Sequence, residues 1–209
     1  MGAPIVGGQT IYSEWPIIGG SFTGIANPKK VVYNSNAKSG DILTLTKPLG
    51  NRSTTAFFRE SDKEKKIIER NIPGIRKSTS KSIKFMKTSN RTASEVMIRV
   101  GVNSCTDVTG FGIAGHADNI AKRSGVRITI DALPIFKGSL KLSKHFGHDL
   151  EKGTSAETSG GLLISVPANK FNALSTELID SGVPCFRIGK VNHGSCAATI
   201  SKSIRIVEV

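Results

Sequence analysis

The sequence predicts an α+β fold, a mixed sheet covered by helices. Three observations carry that expectation. Short apolar runs at residues 41–46 and 162–166 are bounded by turn formers, as buried strands are. Residues 89–100 and 169–181 instead repeat their apolar side chains at helical spacing, with Phe171, Leu174, Leu178 and Ile179 on the second face. The 209-residue length, with 38% hydrophobic and 22% charged residues, is enough to bury a sizeable core.

Taken in order, residues 4–25 alternate apolar runs with turns: Pro4-Ile5-Val6, Gly7-Gly8, Trp15 to Ile18, Ser21 to Ile25, then Asn27-Pro28. They read as two or three strands, too few to close a core alone. Lys38-Ser39-Gly40 is a turn, and the expected domain boundary lies there, giving residues 1–38 and 39–209. A strand follows at 41–46, ended by Pro48, then a short helix at 53–60. Residues 63–82 are polar and basic, broken at Pro73-Gly74, and read as including an exposed loop. Ala93, Val96, Met97 and Val100 give the helix at 89–100 its core face. Residues 111–123 suit a helix stopped by Ser124-Gly125, and 126–130 a strand. The strand at 162–166 lies between Gly160-Gly161 and Pro167, and the helix at 169–181 stops at Gly182. Strands at 186–191 and 203–209, separated by His193-Gly194-Ser195, complete the sheet.

Lys and Arg number 29 against 16 Asp and Glu, a net charge of +13 that favours anionic partners. The densest basic stretch, residues 63–87, contains only Phe85 as an aromatic, which argues against nucleic acid and for a solvated face. Cys105, Cys185 and Cys196 are an odd number in no metal-ligand spacing, so reduced thiols are expected. No apolar run reaches the roughly twenty residues of a membrane span, and MGAPIVGGQT has neither signal-peptide nor transit-peptide character. The expected compartment is the cytoplasm, with no membrane partner.

Residues 106–117, TDVTGFGIAGHA, place Gly110, Gly112 and Gly115 in a GxGxxG pattern, with Asp131 about twenty positions on. Three readings compete. A dinucleotide site requires a buried, near-continuous apolar strand before the first glycine, whereas residues 103–109 are polar and include Asp107. The bland reading makes Thr106 or Asp107 a turn, Thr109 a helix cap and the glycines packing points. The third sets Asp107 beside a glycine-lined helix N-terminus, where a carboxylate holds Mg2+ and the metal neutralises phosphates.

Four motifs in one order, Val6 to Thr10 (VGGQT), residues 40–50 (GDILTLTKPLG), TDVTGFGIAGHA and residues 157–163 (ETSGGLL), resemble selenophosphate synthetase, also called selenide, water dikinase. The resemblance runs from residue 2 to the C-terminus, weakest over residues 62–82. GGQT followed by a tryptophan, and NRTA at residues 90–93, look especially like its eukaryotic branch.

The resemblance implies an aminoimidazole ribonucleotide synthetase-like C-terminal domain, preceded by a few strands of a truncated N-terminal ATP-binding domain that pairs into a dimeric β-barrel. It implies conversion of ATP, selenide and water to selenophosphate, AMP and phosphate. Asp107 matches the family's Mg2+ ligand, and Gly7, Gly8, Gln9 and Thr10 match its ATP-contacting segment. The implied partners are ATP, selenide, a second copy in the full-length protein, and other components of selenocysteine synthesis. For residues 157–161 a turn into a core strand is expected. His116 reads as a packing residue, Lys47 and Arg91 as structural or solvated, and the nucleophile's role is not transferred to Cys105. The chain starts just before GGQT, so the family's nucleophile, its lysine and its other acids have no counterpart here. The expectation is therefore a C-terminal portion, inactive alone. A non-catalytic binding or regulatory module of the same fold is the alternative.

Overall fold

The computed structural model describes residues 3–209. It divides into two compact units, with the boundary between Val31 and Val32.

Among the described residues of the first unit, 3–27 form no ladder, and the only regular element is a 3-10 helix at Pro28–Lys30. The runs expected to be strands form none here and are exposed, Ile5, Tyr12, Ile18 and Ile25 almost fully. A strand gains its stability from cross-strand pairs and a covering layer. This segment has neither partner among the described residues.

The second unit is built on a six-stranded sheet: β1 (Ile42–Leu45), β2 (Ser104–Asp107), β3 (Arg127–Ile135), β4 (Leu162–Val166), β5 (Phe186–Asn192) and β6 (Ala197–Glu208). Their order is β2-β4-β1-β5-β3-β6, antiparallel except for the parallel pair of β3 with β6. The sheet is mixed, as expected for α+β architecture. Period-2 alternation splits each central strand between two cores. Leu43, Leu45 and Leu163 enter one core with Ile113, Ala117, Ile120 and Ala121 of α5 (Gly112–Ser124). Ile42, Leu162, Ile164 and Val166 enter the other, with Ala93, Val96 and Met97 of α4 (Arg91–Val100) and Leu174 and Leu178 of α7 (Phe171–Asp180). Burying each Leu or Ile contributes about 1.5–3 kcal/mol, so covering both faces is what stabilises the sheet.

A third core, Phe57, Ile68, Ile72, Ile75 and Leu142, joins α1 (Asn51–Arg59), α2 (Asp62–Asn71), α3 (Ile75–Lys87) and α6 (Ser139–Phe146). Residues 63–82 fall almost wholly in α2 and α3, so the exposed loop expected within them reduces to the turn at residues 72–74. Ser61 caps α2 by accepting from the Glu64 N–H at 3.2 Å, a Ser-x-x-Glu signature, and Ile68, Ile72 and Ile75 are buried among the lysines. Helix α6 was not anticipated. Strands β3 and β6 extend beyond the expected 126–130 and 203–209 because they pair with each other over most of their length.

Candidate functional site

Asp107 ends β2, an edge strand paired antiparallel with β4 through Asp107 opposite Leu162. A strand therefore does precede the glycine motif, polar though residues 103–109 are. It is antiparallel and at the sheet edge, so the parallel-strand geometry of a dinucleotide site is absent. The Asp107 side chain is exposed at the mouth of the loop that enters α5.

That loop is held by backbone and imidazole contacts. The Val108 N–H donates to Gly161 O (2.9 Å), and the Glu157 N–H donates to Thr109 O (3.0 Å). His116, buried on the first turns of α5, accepts the Thr109 N–H on Nε2 at 2.9 Å. A backbone N–H can only donate, so Nε2 carries no proton in this arrangement. Burial lowers the His116 pKa, against a smaller upward pull from Asp107. Thr109 does not cap the helix; the N-cap position is Phe111, without a side-chain cap, and Thr109 is instead pinned by His116. The three glycines differ. Gly112 has φ +65° and lies against the carbonyls of Gly153 and Ser155, Gly115 lies under Phe111, and Gly110 has open space around it. Two are packing points, as the bland reading held, and Gly110 lies beside Asp107 with room for a ligand.

Residues 157–161 form the opposite wall. Glu157 is buried, and its carboxylate accepts from the N–H groups of Gly50 (2.7 Å) and Asn51 (3.0 Å), capping the N-terminus of α1. Burial pushes its pKa up to about 8, against the pull of those two hydrogen bonds. Asn51 returns the contact, its amide donating to Thr158 O (2.7 Å) and accepting from Thr158 N (2.8 Å). A Cβ at Gly160 would collide with the Val108 carbonyl, so this glycine fixes how closely the two loops approach. Lys47, just past β1, is buried and donates to Thr88 O (2.7 Å) and Ser159 O (3.0 Å).

The sequence reading missed the capping role of Glu157. A signal existed: α1 begins after Gly50, which has no side chain to cap it, so the cap must come from elsewhere in the chain. Gly7, Gly8, Gln9 and Thr10 lie exposed in the first compact unit, and Asp107 lies in the second. Arg91 begins α4 and pairs with Glu95. Cys105, Cys185 and Cys196 are free thiols, and burial raises the pKa of Cys105 to about 12, which leaves it unreactive as a nucleophile. Among the described residues, no group of three or more His, Cys, Asp or Glu gathers to hold a metal. Asp107 contributes one carboxylate to such a site and does not build it alone.

This sheet-and-loop arrangement defines a known class. The pattern of the family described as AIR synthase related protein, C-terminal domain, matches residues 38–200, and the chain belongs to that family. Among solved structures, thiamine-monophosphate kinase from Stenotrophomonas maltophilia superposes with a TM-score of 0.62 at 17% identity, covering 84% of this chain and 54% of that one. Hydrogenase maturation protein HypE in complex with ATP gives 0.59 at 17% identity, covering 81% and 49%. These two likenesses establish the fold.

The closer resemblance is to selenide, water dikinase. The Methanococcus maripaludis protein of that name is 40% identical over 98% of this chain and 64% of its own length. Selenide, water dikinase 2 of Homo sapiens is 36% identical over 100% of this chain and 49% of its own. The chain thus spans between about half and two thirds of these relatives, and the similarity extends to an archaeal protein as well as the eukaryotic branch its motifs suggested.

Proposed function

We propose that this chain is the C-terminal part of a cytoplasmic selenide, water dikinase, which converts ATP, selenide and water to selenophosphate, AMP and phosphate. The observation that carries the reading is identity of 40% across nearly the whole chain to a protein of that name. The exposed carboxylate of Asp107 at a glycine-bordered helix entry supports it. In this proposal Asp107 supplies one oxygen ligand to Mg2+, whose positive charge would offset that of the phosphates. His116 and Glu157 touch no substrate; they hold the two loops that present Asp107. Gly7 to Thr10 contact ATP, and residues 1–38 belong to the ATP-binding domain of a dimer. The exposed apolar side chains from Ile5 to Ile25 are the surface such a domain would cover.

The test is phosphorus NMR of ATP turnover by the protein containing this chain, with and without selenide. Selenide-dependent appearance of AMP, phosphate and a selenium-bonded phosphate is expected. ADP as the sole nucleotide product would contradict the proposal. A second reading, a non-catalytic module of the same fold, is favoured because no group of three or more His, Cys, Asp or Glu gathers to hold a metal among the described residues. It predicts no turnover under any of these conditions.

A further inference from the structure

On the other side of the 157–161 loop lies a cavity of about 260 Å³ that the proposed reaction does not use. Its charged lining is all of one sign: Lys47, Lys81 and Lys84, with no Asp or Glu. Lys47 is the informative member. It is only 6% exposed, and no ion pair to it occurs among the described residues. An ammonium has three hydrogens to donate. Two go to the carbonyls of Thr88 and Ser159, whose partial charges do not neutralise a full cation. Burying a cation without a counter-ion is costly, and burial duly lowers the Lys47 pKa. Lys81 and Lys84 stand three residues apart on α3, so they share a face, where like charges repel unless an anion lies between them.

Beside the polar Thr46, Thr88, Ser89 and Asn90, the wall carries an apolar stretch formed by Phe85, Ala93, Val183 and Pro184. A bare phosphate would fill only part of the volume and leave that wall wet. We propose that this cavity binds a phosphorylated small molecule, its phosphate on Lys47, Lys81 and Lys84 and its planar or apolar body against Phe85, Val183 and Pro184. The site stands on its own side chains and does not depend on the role assigned to Asp107. The two regions share a wall, since Ser159 and Gly160 hold Lys47 and Asn90 through their carbonyls while Gly160 also packs on Val108.

Phenyl phosphate is the probe, titrated into the full chain at low salt and followed by calorimetry and backbone amide shifts, with inorganic phosphate and phenol as comparators. Saturable one-to-one binding is expected, with shifts centred on Thr46, Thr88, Ala93 and Val183. Phenyl phosphate should bind at least fivefold tighter than inorganic phosphate, and phenol should not bind measurably. Lys81→Ala with Lys84→Ala, at exposed positions whose loss leaves the fold intact, should weaken binding at least tenfold. Lys47→Met should abolish it, and Asp107→Asn should leave it unchanged. Non-saturating shifts spread over the basic surface, or undiminished affinity in the Lys81/Lys84 double variant, would overturn the assignment. Equal affinity for phosphate and phenyl phosphate would overturn the role of the apolar wall.

Discussion

His116 shows how one buried side chain sets the geometry of a loop that it reaches from a helix. Its Nε2 accepts the Thr109 N–H, an arrangement open only to the neutral ring, and burial accordingly lowers its pKa below the usual 6.5. In the unfolded chain the same imidazole takes up a proton near pH 6.5, before the folded one does. Stability from this residue is therefore complete above pH 6.5 and is lost as pH falls through the lower, folded value. Denaturant unfolding at a series of pH values should show wild type losing more stability than His116→Phe between pH 7.5 and 5. Equal losses would show that the ring does not titrate with folding. From sequence, His116 reads correctly as a packing residue, but its partner is not legible, because a contact seven residues back in a loop leaves no periodic trace. Asp107 is legible as a candidate ligand through its motif; that it joins no group of three or more His, Cys, Asp or Glu among the described residues emerges only in three dimensions.

The helices show what local signals do and do not reveal. Helices α4, α5 and α7 are legible because their apolar faces recur at 3.6-residue spacing and end at Gly101, Gly125 and Gly182. The pair α2 and α3 is obscured by its lysines, although Ser61 and Glu64 mark the start of α2 and Ile68, Ile72 and Ile75 are buried beneath the charge. Ser61→Ala should cost about 1 kcal/mol in equilibrium unfolding, the usual worth of an N-cap. A change within experimental error would mean that α2 draws its stability from packing alone. Helix α1 has no cap of its own and takes one from Glu157, 107 residues away for Gly50. A dependence of that range cannot be read from a local window. Strand β2 was obscured for a related reason: its short polar sequence, Ser-Cys-Thr-Asp, becomes a strand only because β4 offers it an edge.

For the whole molecule, the α+β class follows from the sequence because the sheet is buried on both faces and its strands are correspondingly apolar. The order β2-β4-β1-β5-β3-β6 does not follow, since antiparallel neighbours far apart in sequence are chosen by tertiary packing. Residues 3–31 carry strand-like composition without strand pairing, so composition alone could not tell whether a partner was present. The central claim, that the second unit presents Asp107 to a metal-bound phosphate in a selenide, water dikinase, predicts one effect most directly. That effect is measured as the selenide-dependent rate of AMP formation at saturating Mg2+ by the protein containing this chain, with and without Asp107→Asn. The account predicts a loss of at least about 100-fold, equivalent to roughly 2.7 kcal/mol of transition-state stabilisation, with an unchanged circular dichroism spectrum. An unchanged rate in the folded variant would contradict it.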